Sequence, residues 1–340
     1  MRTDRNMSRL NNKQRKKVIL TAVTAGAILV GGIGLYREKK ANDSMRITQN
    51  EGYEKKDTSE VLWNGKPYVY NNHLDNYLFL GIDQEEMADV KVGSAMAGQS
   101  DALFVVSYDR VKHTLTKISI PRDTMTDIEA FDAEGESLGK TKDHISLAYG
   151  YGDGKIKSCE FSRNAVSNLF YGVPIYGYCA ISLDSLPMIA ESVGGLEVTI
   201  PNDSLEEVDE SYKQGSTLHL DKNNTELFVR YRNTDISQSA MARLERQEAF
   251  LKAFGEKAEE TYRENPKFIT ELYSDLKPYM VTNMGADQFA DIMDSVSGEA
   301  SDSWTVPGEG VAGEYYDEYH VDDSALYEKI IETFYEEKKE

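Results

Sequence analysis

Residues 100–124 read SDALFVVSYDRVKHTLTKISIPRDT, and two apolar runs in this stretch set the architecture of the chain. ALFVVSY at 102–108 and LTKISI at 115–120 have the composition of buried strands, and Pro121 stops the second one. The link between them, Asp109 to Thr114, has the length of a hairpin connection, which predicts antiparallel neighbours. A third buried strand, YLFLGI at 77–82, precedes them.

Helical and strand patterns alternate along the rest of the chain. Apolar residues at helical spacing predict helices, and short apolar or alternating runs predict strands. The predicted helices are 163–170, 182–193 with a stop at Gly194–Gly195, 239–264, 286–296 and 324–337, and the further predicted strands are 196–201, 226–232 and 303–306. This order predicts an α/β fold with a central mixed sheet flanked by helices.

An uncharged stretch lies near the N-terminus. Residues 18–36 read VILTAVTAGAILVGGIGLY, and at about 1.5 Å per residue such a helix nearly crosses a hydrocarbon core of about 30 Å. The residues before it are basic, so the positive-inside rule predicts one transmembrane helix with 1–17 in the cytoplasm and the remainder extracellular. The alternative is a cleaved signal peptide. Beyond the helix we predict a stalk at 37–70, a main domain at 71–265 and an extension at 266–340 that packs on it.

The predicted extracellular part is strongly acidic. The first forty residues hold ten Lys or Arg and two Asp or Glu, of 38 and 58 in the whole chain, which leaves a net charge of −28 for residues 41–340. Because phosphate contacts supply most nonspecific affinity for nucleic acid, a fold of this charge is predicted to be a poor general binder of DNA or RNA, although a local basic site could hold anions. A cytoplasmic end of seventeen residues is also too short for a folded DNA-binding domain, which argues against a transcription regulator.

Charged side chains follow the three early strands. If the strand at 77–82 is antiparallel to its successor, Asp83 lies near Asp101, and Arg122 arrives at the same rim of the sheet. Two carboxylates from separate loops form a minimal Mg²⁺ or Mn²⁺ site if a phosphate supplies further ligands. The alternatives are solvated loop acids and an arginine that is exposed or salt-bridged.

A second, basic cluster lies further along the chain. In the sequence VRYR, strand spacing puts Arg230 and Arg232 on one face. In the long helix that follows, Arg243, Arg246 and Gln247 share a face at i, i+3 and i+4. Because arginine forks match phosphate oxygens, this pattern predicts an anion site. Ion pairs with the surrounding acids fit the spacing equally well.

Other signatures of chemistry are weak. Cys159 and Cys179 lie outside any C-x-x-C motif, which excludes a zinc signature; they either pair outside the membrane or are buried small residues. The glycines of AYGYGDG at 148–154 follow no clear strand and predict a flexible turn rather than a dinucleotide site. The chain has no Walker A motif and no nucleophile elbow.

A set of motifs in fixed order resembles the LytR–CpsA–Psr family of cell-wall enzymes over about residues 75–260. The motifs are NYLFLGID (76–83), SDALFVVSYD (100–109), ISIPRDT (118–124), AYGYGDG (148–154), VGGLEVTIP (193–201), VRYR (229–232) and RLERQ (243–247). The resemblance implies a phosphotransferase that moves a glycopolymer, such as teichoic acid or capsular polysaccharide, from a polyprenyl-pyrophosphate carrier to peptidoglycan through a phosphodiester, with Mg²⁺ assistance. It also implies an apolar pocket for the lipid tail.

The resemblance assigns roles by position. It implies that Asp83 and Asp101 bind the metal and that Asp123 has a catalytic or structural role beside the first arginine. The residues that it implies for pyrophosphate binding are Arg122, Arg230, Arg232, Arg243, Arg246 and Gln247. Of these it implies a catalytic role as well for Arg122, Arg230 and Arg232.

Two positions depart from the family pattern. The family often has Gly-Asp before its closing arginine, whereas residues 237–242 read SQSAMA, which leaves the general base open, with Asp235 as one candidate. His144 stands where a lysine is expected. A pyrophosphatase side activity would accompany the transferase, and the competing function is a non-catalytic sensor or scaffold that binds lipid pyrophosphates.

Overall fold

The strands of the protein form one large sheet and smaller two- and three-stranded sheets. The structure, a computed structural model, describes residues 60–84, 87–233, 235–237, 239–289 and 301–338. Its strands are β1 (Glu60–Trp63), β2 (Lys66–Tyr70), β3 (Leu74–Ile82), β4 (Ser100–Asp109), β5 (Thr114–Ile120), β6 (Met125–Phe131), β7 (Ser137–His144), β8 (Gly177–Ser182), β9 (Leu196–Thr199), β10 (Thr217–Leu220), β11 (Met280–Thr282), β12 (Ser301–Thr305), β13 (Gly308–Ala312), β14 (Asp317–Val321) and β15 (Tyr335–Glu337).

Helices connect these strands, and their ends follow local chemistry. They are α1 (Leu147–Gly150), α2 (Ile156–Leu169), α3 (Leu186–Ser192), α4 (Thr225–Arg230), α5 (Ser239–Glu264), α6 (Phe268–Leu276) and α7 (Asp323–Phe334), with 3₁₀ turns at Leu183–Ser185 and Lys277–Tyr279. The Asp322 carboxylate caps α7 by accepting the backbone N–H groups of Ser324 and Ala325. After α3, Gly194 and Gly195 take positive φ angles, so the predicted glycine stop is confirmed.

The central sheet has the strand order β11-β8-β3-β4-β5-β12. β3, β4 and β5 are antiparallel neighbours, as the hairpin-length link predicted. β8 runs parallel to β3 and β12 runs parallel to β5, whereas β11 is antiparallel to β8. The sheet is therefore mixed, which confirms the predicted fold class.

Apolar side chains cover both faces of this sheet. On one face, alternate residues of β3 such as Leu78 and Leu80 pack with Val166 of α2 and Ile330 of α7 in the main core. On the other face, Tyr77 and its neighbours form a smaller cluster with Cys179 and Met284. A third cluster joins α3 through α6 with β9 and β10. The sheet thus lies between helical layers, and its strand ends are free to carry polar side chains.

Three segments differ from the sequence prediction. Residues 226–232 form α4 and its C-terminal end instead of a strand. Residues 60–70, assigned to the stalk, form β1 and β2, and β15 at the end of the chain pairs with β2. The predicted C-terminal extension contributes β11 and β12 to the central sheet, so it is part of the main fold. Each difference depends on a tertiary partner that local patterns do not reveal.

Some predicted elements lie outside the described residues. These are the cytoplasmic end at 1–17, the transmembrane helix at 18–36, the stalk up to residue 59 and most of the helix at 286–296. In the part of the chain that the structure describes, no helix has the length and hydropathy needed to cross a membrane.

Candidate active site at one rim of the sheet

Three strand ends meet at one rim of the central sheet. Asp83 follows β3, Asp101 is the second residue of β4, and Arg122 comes two residues after β5. Ile82 pairs with Ser100, and Leu103 pairs with Ile120, so antiparallel register carries all three to one edge. The predicted convergence of these residues is confirmed.

Asp101 is held between two guanidinium groups. Its Oδ1 accepts a hydrogen bond from Arg122 Nη1, and its Oδ2 lies 2.7 Å from Arg243 Nη1. Gln247 Nε2 lies 3.4 Å from the Asp101 backbone oxygen, the limit of a weak hydrogen bond. Two residues of the RLERQ motif therefore approach the rim from α5, as the shared helix face predicted.

Arg243 has hydrogen-bonding capacity that the fold does not use. The residue is only 4 % exposed, yet its Nη2 is buried without a hydrogen-bond partner among the described residues. Burial lowers the pKa of Arg243, and the nearby Arg122 and Arg232 lower it further, although Asp101 acts against them. Because a buried donor without an acceptor is costly, this group is poised for an anion.

Asp83 lies beside Asp101 and is held by hydrogen bonds with the backbone of Gln99. Its Oδ1 accepts the backbone N–H of Gln99, and its own backbone N–H donates to the Gln99 oxygen. Burial raises the pKa of Asp83 above its ordinary value, and the charge of Asp101 adds to this effect, while the Gln99 N–H and Arg122 oppose it. A side chain at Gly98 would lie 2.9 Å from Asp83 Oδ1, so glycine is needed in this loop, where φ is +86°.

The glycine-rich motif at 148–154 supports that loop. The backbone N–H of Ala97 donates to the oxygen of Gly150 at 3.3 Å, and a Cβ at Gly150 would lie 2.8 Å from the oxygen of Gly98. At Gly152 a Cβ would collide with the backbone of Ser158 in α2. The glycines therefore permit close packing against the Asp83 loop, whereas the motif alone predicted a flexible turn.

Arg232 extends the cluster on the other side. Its Nε donates to Ser239 Oγ at 3.0 Å, and its Nη2 lies 3.7 Å from Asp317 Oδ2. Ser237 Oγ donates to the other oxygen of the Asp317 carboxylate at 2.8 Å. Asp317 begins β14. Its place at the site was not predicted, because no local pattern in the sequence connects it with residues eighty positions earlier.

Asp123 links the first arginine to the same hairpin. Its Oδ1 lies 3.1 Å from Arg122 Nε, and its backbone oxygen accepts the N–H of Tyr319 at 2.8 Å. The contact orients the guanidinium whose other end holds Asp101. Asp123 thus positions Arg122 in this structure, which is the structural one of the two roles that the resemblance implied for Asp123.

Two predicted anion ligands have other partners. Arg230 Nη1 lies 2.7 Å from both Asp184 Oδ1 and Glu226 Oε1, which are the charges that it neutralises. Arg246 is fully buried, and its Nε donates to the Phe228 oxygen at 2.7 Å. Its other nitrogens donate to the Tyr231 oxygen and to Ser204 Oγ. In this conformation the Arg246 side chain stabilises the C-terminal end of α4 through its hydrogen bonds and does not present them to a phosphate.

The candidates for a proton acceptor are dispersed. Asp235 is exposed, so nothing in the fold fixes its carboxylate at the rim. His144 ends β7, with Nδ1 3.2 Å from Asp143 Oδ1 and Nε2 2.9 Å from the Asp317 backbone oxygen. His144 therefore supports the hairpin that carries Asp317.

The carboxylates at the rim suit a small hard cation. No cluster of three or more His, Cys, Asp or Glu side chains able to hold a metal occurs in the described ranges. Asp83 and Asp101 supply two oxygen donors that lie side by side at the rim, and burial raises the pKa of Asp83 above its ordinary value. A divalent ion with additional ligands from a phosphate fits this donor set.

The two cysteines are unpaired. Cys159 and Cys179 are both free and buried. Burial raises the pKa of the Cys179 thiol to about 12 and that of Cys159 well above its ordinary value. Of the two interpretations left open by the sequence, the structure has buried small residues.

A partly buried aromatic surface lies on one face of the central sheet. The rings of Phe79 and Phe104 stack with centroids 5.1 Å apart, and Phe289 meets Phe79 edge-on at 6.0 Å. Both stacked residues lie on the sheet face that includes Gly81 and Ala102, next to the acidic strand ends.

Comparisons with known proteins agree with this architecture. The model of the LytR_cpsA_psr family matches residues 35–333. A Bacillus subtilis protein named polyisoprenyl-teichoic acid–peptidoglycan teichoic acid transferase TagV is 30% identical over 247 residues, which cover 70% of this chain and 56% of that protein. A TagU transferase of Bacillus cereus is 25% identical over 305 residues, covering 87% of this chain and 89% of that protein.

The fold also matches a solved structure. The crystal structure of B. subtilis TagV aligns with a TM-score of 0.59 at 24% identity, covering 77% of this chain and 98% of that one. In the sequence alignment this chain spans just over half the length of its TagV relative.

Proposed function

Because the chain belongs to the LytR–CpsA–Psr family, we propose that it transfers a glycopolymer from a polyprenyl-pyrophosphate carrier to peptidoglycan through a phosphodiester bond. The observation that carries the proposal is the buried Arg243 Nη2, a donor without a partner among the described residues and surrounded by further arginines. The names of the TagV and TagU relatives make teichoic acid the first polymer to test.

The reaction needs no protein nucleophile. A hydroxyl oxygen of the acceptor glycan forms a bond to the phosphorus that carries the polymer, and the bond from that phosphorus to the bridging oxygen breaks. Polyprenyl phosphate leaves with the electron pair, and the hydroxyl proton passes to solvent. With water in place of the glycan, the same step is a pyrophosphatase side reaction.

The arginines neutralise charge on the phosphates. Arg243, held by Asp101, presents its unpaired Nη2, and Arg122 and Arg232 add positive charge from two further segments. Donors that are already oriented stabilise the charge that develops on the leaving phosphate without reorganising. We assign Arg122, Arg232 and Arg243 to this role and Asp123 to the orientation of Arg122.

Asp83 and Asp101 would hold Mg²⁺ or Mn²⁺, which supplies Lewis-acid polarisation of the phosphoryl oxygens. The support is their adjacency and the raised pKa of Asp83. Asp101 would hold the ion and the arginines together, because each carboxylate oxygen has a second lone pair beside its arginine contact.

We further propose that residues 18–36 anchor the protein in the cell membrane as a single helix, with the folded part outside. A tether keeps the site close to a lipid carrier that cannot leave the bilayer, which raises the effective concentration of the substrate. The aromatic surface of Phe79 and Phe104 is suited to the first isoprene units of that carrier.

The test uses full-length protein in detergent micelles with a polyprenyl-pyrophosphate-linked glycan, peptidoglycan and Mg²⁺. We expect polyprenyl phosphate and glycan-linked peptidoglycan from wild type, and at least about a hundredfold less of both from Arg243→Ala. Arg110→Ala is the matched control, since Arg110 follows the opposite end of β4 and pairs with Asp75.

The same experiment separates the transferase from a sensor. A non-catalytic lipid-pyrophosphate binder would retain the ligand and give neither product. That result with wild-type protein would remove the transferase proposal.

A further inference from the structure

The β13–β14 hairpin carries two exposed aromatic side chains at its tip. The strands pair from Gly308 opposite Val321 to Ala312 opposite Asp317. Residues 313–316 form the turn, closed by a hydrogen bond from the Gly313 N–H to the Tyr316 oxygen at 3.0 Å. At the tip, Tyr315 and Tyr316 are 81% and 76% exposed. Adjacent aromatic residues with this exposure are unusual in a turn, where small polar residues are favoured.

The base of the hairpin is fixed to the candidate active site. Tyr319 donates its backbone N–H to the Asp123 oxygen, and its ring hydroxyl donates to the Val306 oxygen at 2.8 Å. Asp317 accepts from Ser237 Oγ and faces Arg232. Tyr316 at the tip immediately precedes Asp317, and its ring is roughly perpendicular to the His144 ring, with centroids 6.5 Å apart. The two tyrosines therefore stand beside the arginine cluster.

The charge of the hairpin restricts what can bind there. Residues 308–321 contain the acids Glu309, Glu314, Asp317 and Glu318 and no lysine or arginine. Such a surface is repelled by anionic lipid headgroups and by a polyanionic donor polymer. It is compatible with a neutral sugar chain, whose hydroxyl groups donate hydrogen bonds to carboxylates.

Tyrosine is well suited to a sugar face. Its ring offers a rigid, amphipathic surface at low conformational cost, and its hydroxyl can hydrogen-bond at the same time. Two consecutive tyrosines at the tip can contact successive sugar rings of one strand.

We propose that the β13–β14 hairpin is the acceptor subsite, in which Tyr315 and Tyr316 bind the N-acetylated glycan strand that receives the transferred polymer. The inference rests on the proposed function and deepens it by assigning the acceptor side of the site. The Asp317 contacts with Ser237 and Arg232 set the separation between the bound strand and the phosphates.

The primary test is a binding measurement that requires no turnover. Full-length protein in detergent micelles is titrated with peptide-free peptidoglycan glycan strands by isothermal calorimetry. We expect Tyr315→Ala/Tyr316→Ala to raise Kd about tenfold or more, as the loss of a central aromatic contact does. The Phe/Phe double variant should remain within about threefold of wild type because it retains the ring faces. Tyr176→Ala is the control, since Tyr176 precedes β8 at the opposite end of the sheet.

A second measurement separates this inference from the proposed function. Release of polyprenyl phosphate without acceptor should be unchanged in the Ala/Ala variant, while transfer to glycan should show a raised KM for the acceptor. If wild type fails to cleave the donor but the tyrosines still govern glycan binding, the proposed function falls and the binding site stands. Unchanged glycan affinity in the Ala/Ala variant would overturn the inference. So would a selective loss of binding to phosphatidylglycerol vesicles, which would make the tip a membrane contact.

Discussion

Replacement of Arg246 by Met tests whether this residue belongs to the fold or to the ligand site. Arg246 donates to the carbonyl oxygens of Phe228 and Tyr231 at the end of α4 and to Ser204 Oγ. Burial lowers its pKa to about 10, so it is still charged at neutral pH. We expect Arg246→Met to lower the melting temperature because these buried acceptors lose their donor while the volume is retained.

The expected size follows from the unsatisfied acceptors. Each buried carbonyl without a donor costs about 1–3 kcal/mol, and removal of a buried charge recovers part of that cost. A net loss of about 2–3 kcal/mol corresponds to roughly 3–5 °C for a fold of this size. Arg243→Met should lower the melting temperature by less than Arg246→Met does, because it removes a buried guanidinium whose Nη2 is unpaired among the described residues, and Asp101 keeps its contact with Arg122.

The assay combines thermal unfolding by circular dichroism with titration of inorganic pyrophosphate in Mg²⁺. We expect Arg246→Met to lose stability but to bind pyrophosphate within about threefold of wild type at a temperature where it is folded. Arg243→Met should show the reverse pattern. An Arg246→Met protein that melts like wild type and no longer binds pyrophosphate would refute the structural role of Arg246 and return this residue to the ligand site.

Three further predictions concern groups away from the rim. Burial raises the pKa of Asp109, but the N–H groups of Lys112 and Val111 and the Asn71 amide outweigh it, so the pKa lies below its ordinary value. The stability that Asp109 contributes is thus present above about pH 4 and is lost as pH falls through the folded pKa. The difference in melting temperature between wild type and Asp109→Asn should therefore narrow on acidification. A difference that stays constant with pH would contradict this. Gly152→Ala should lower the melting temperature by several degrees through its collision with α2, whereas Gly139→Ala, with open space but a positive φ, reports strain alone. Neither buried thiol should react with Ellman's reagent until the protein is unfolded, when two equivalents of thiol per chain should react. Fast labelling of the native protein would contradict this, because it would show that the thiols are accessible.

Local sequence patterns were sufficient for three adjacent strands of the central sheet and for one half of the site. Short links and apolar runs predicted that β3, β4 and β5 are antiparallel neighbours, and this register places Asp83, Asp101 and Arg122 together. The spacing of Arg243 and Gln247 on one helix face was equally readable, because a regular helix has a known period. These inferences held because they depend on neighbours in the chain.

The roles of the remaining charged groups depend on partners far away in sequence. The VRYR segment was predicted as a strand, but Phe228 and Val229 bury in the core formed with α5, and α4 results. Arg246 was predicted to bind phosphate, yet carbonyls at the end of that helix take its donors. Asp317 reaches Arg232 across more than eighty residues through a hairpin that no motif marks. Periodicity reports which residues share a face, whereas the partner that neutralises a buried charge is chosen only when distant segments pack together, because a charge can be buried only where a counter-charge or donor is present.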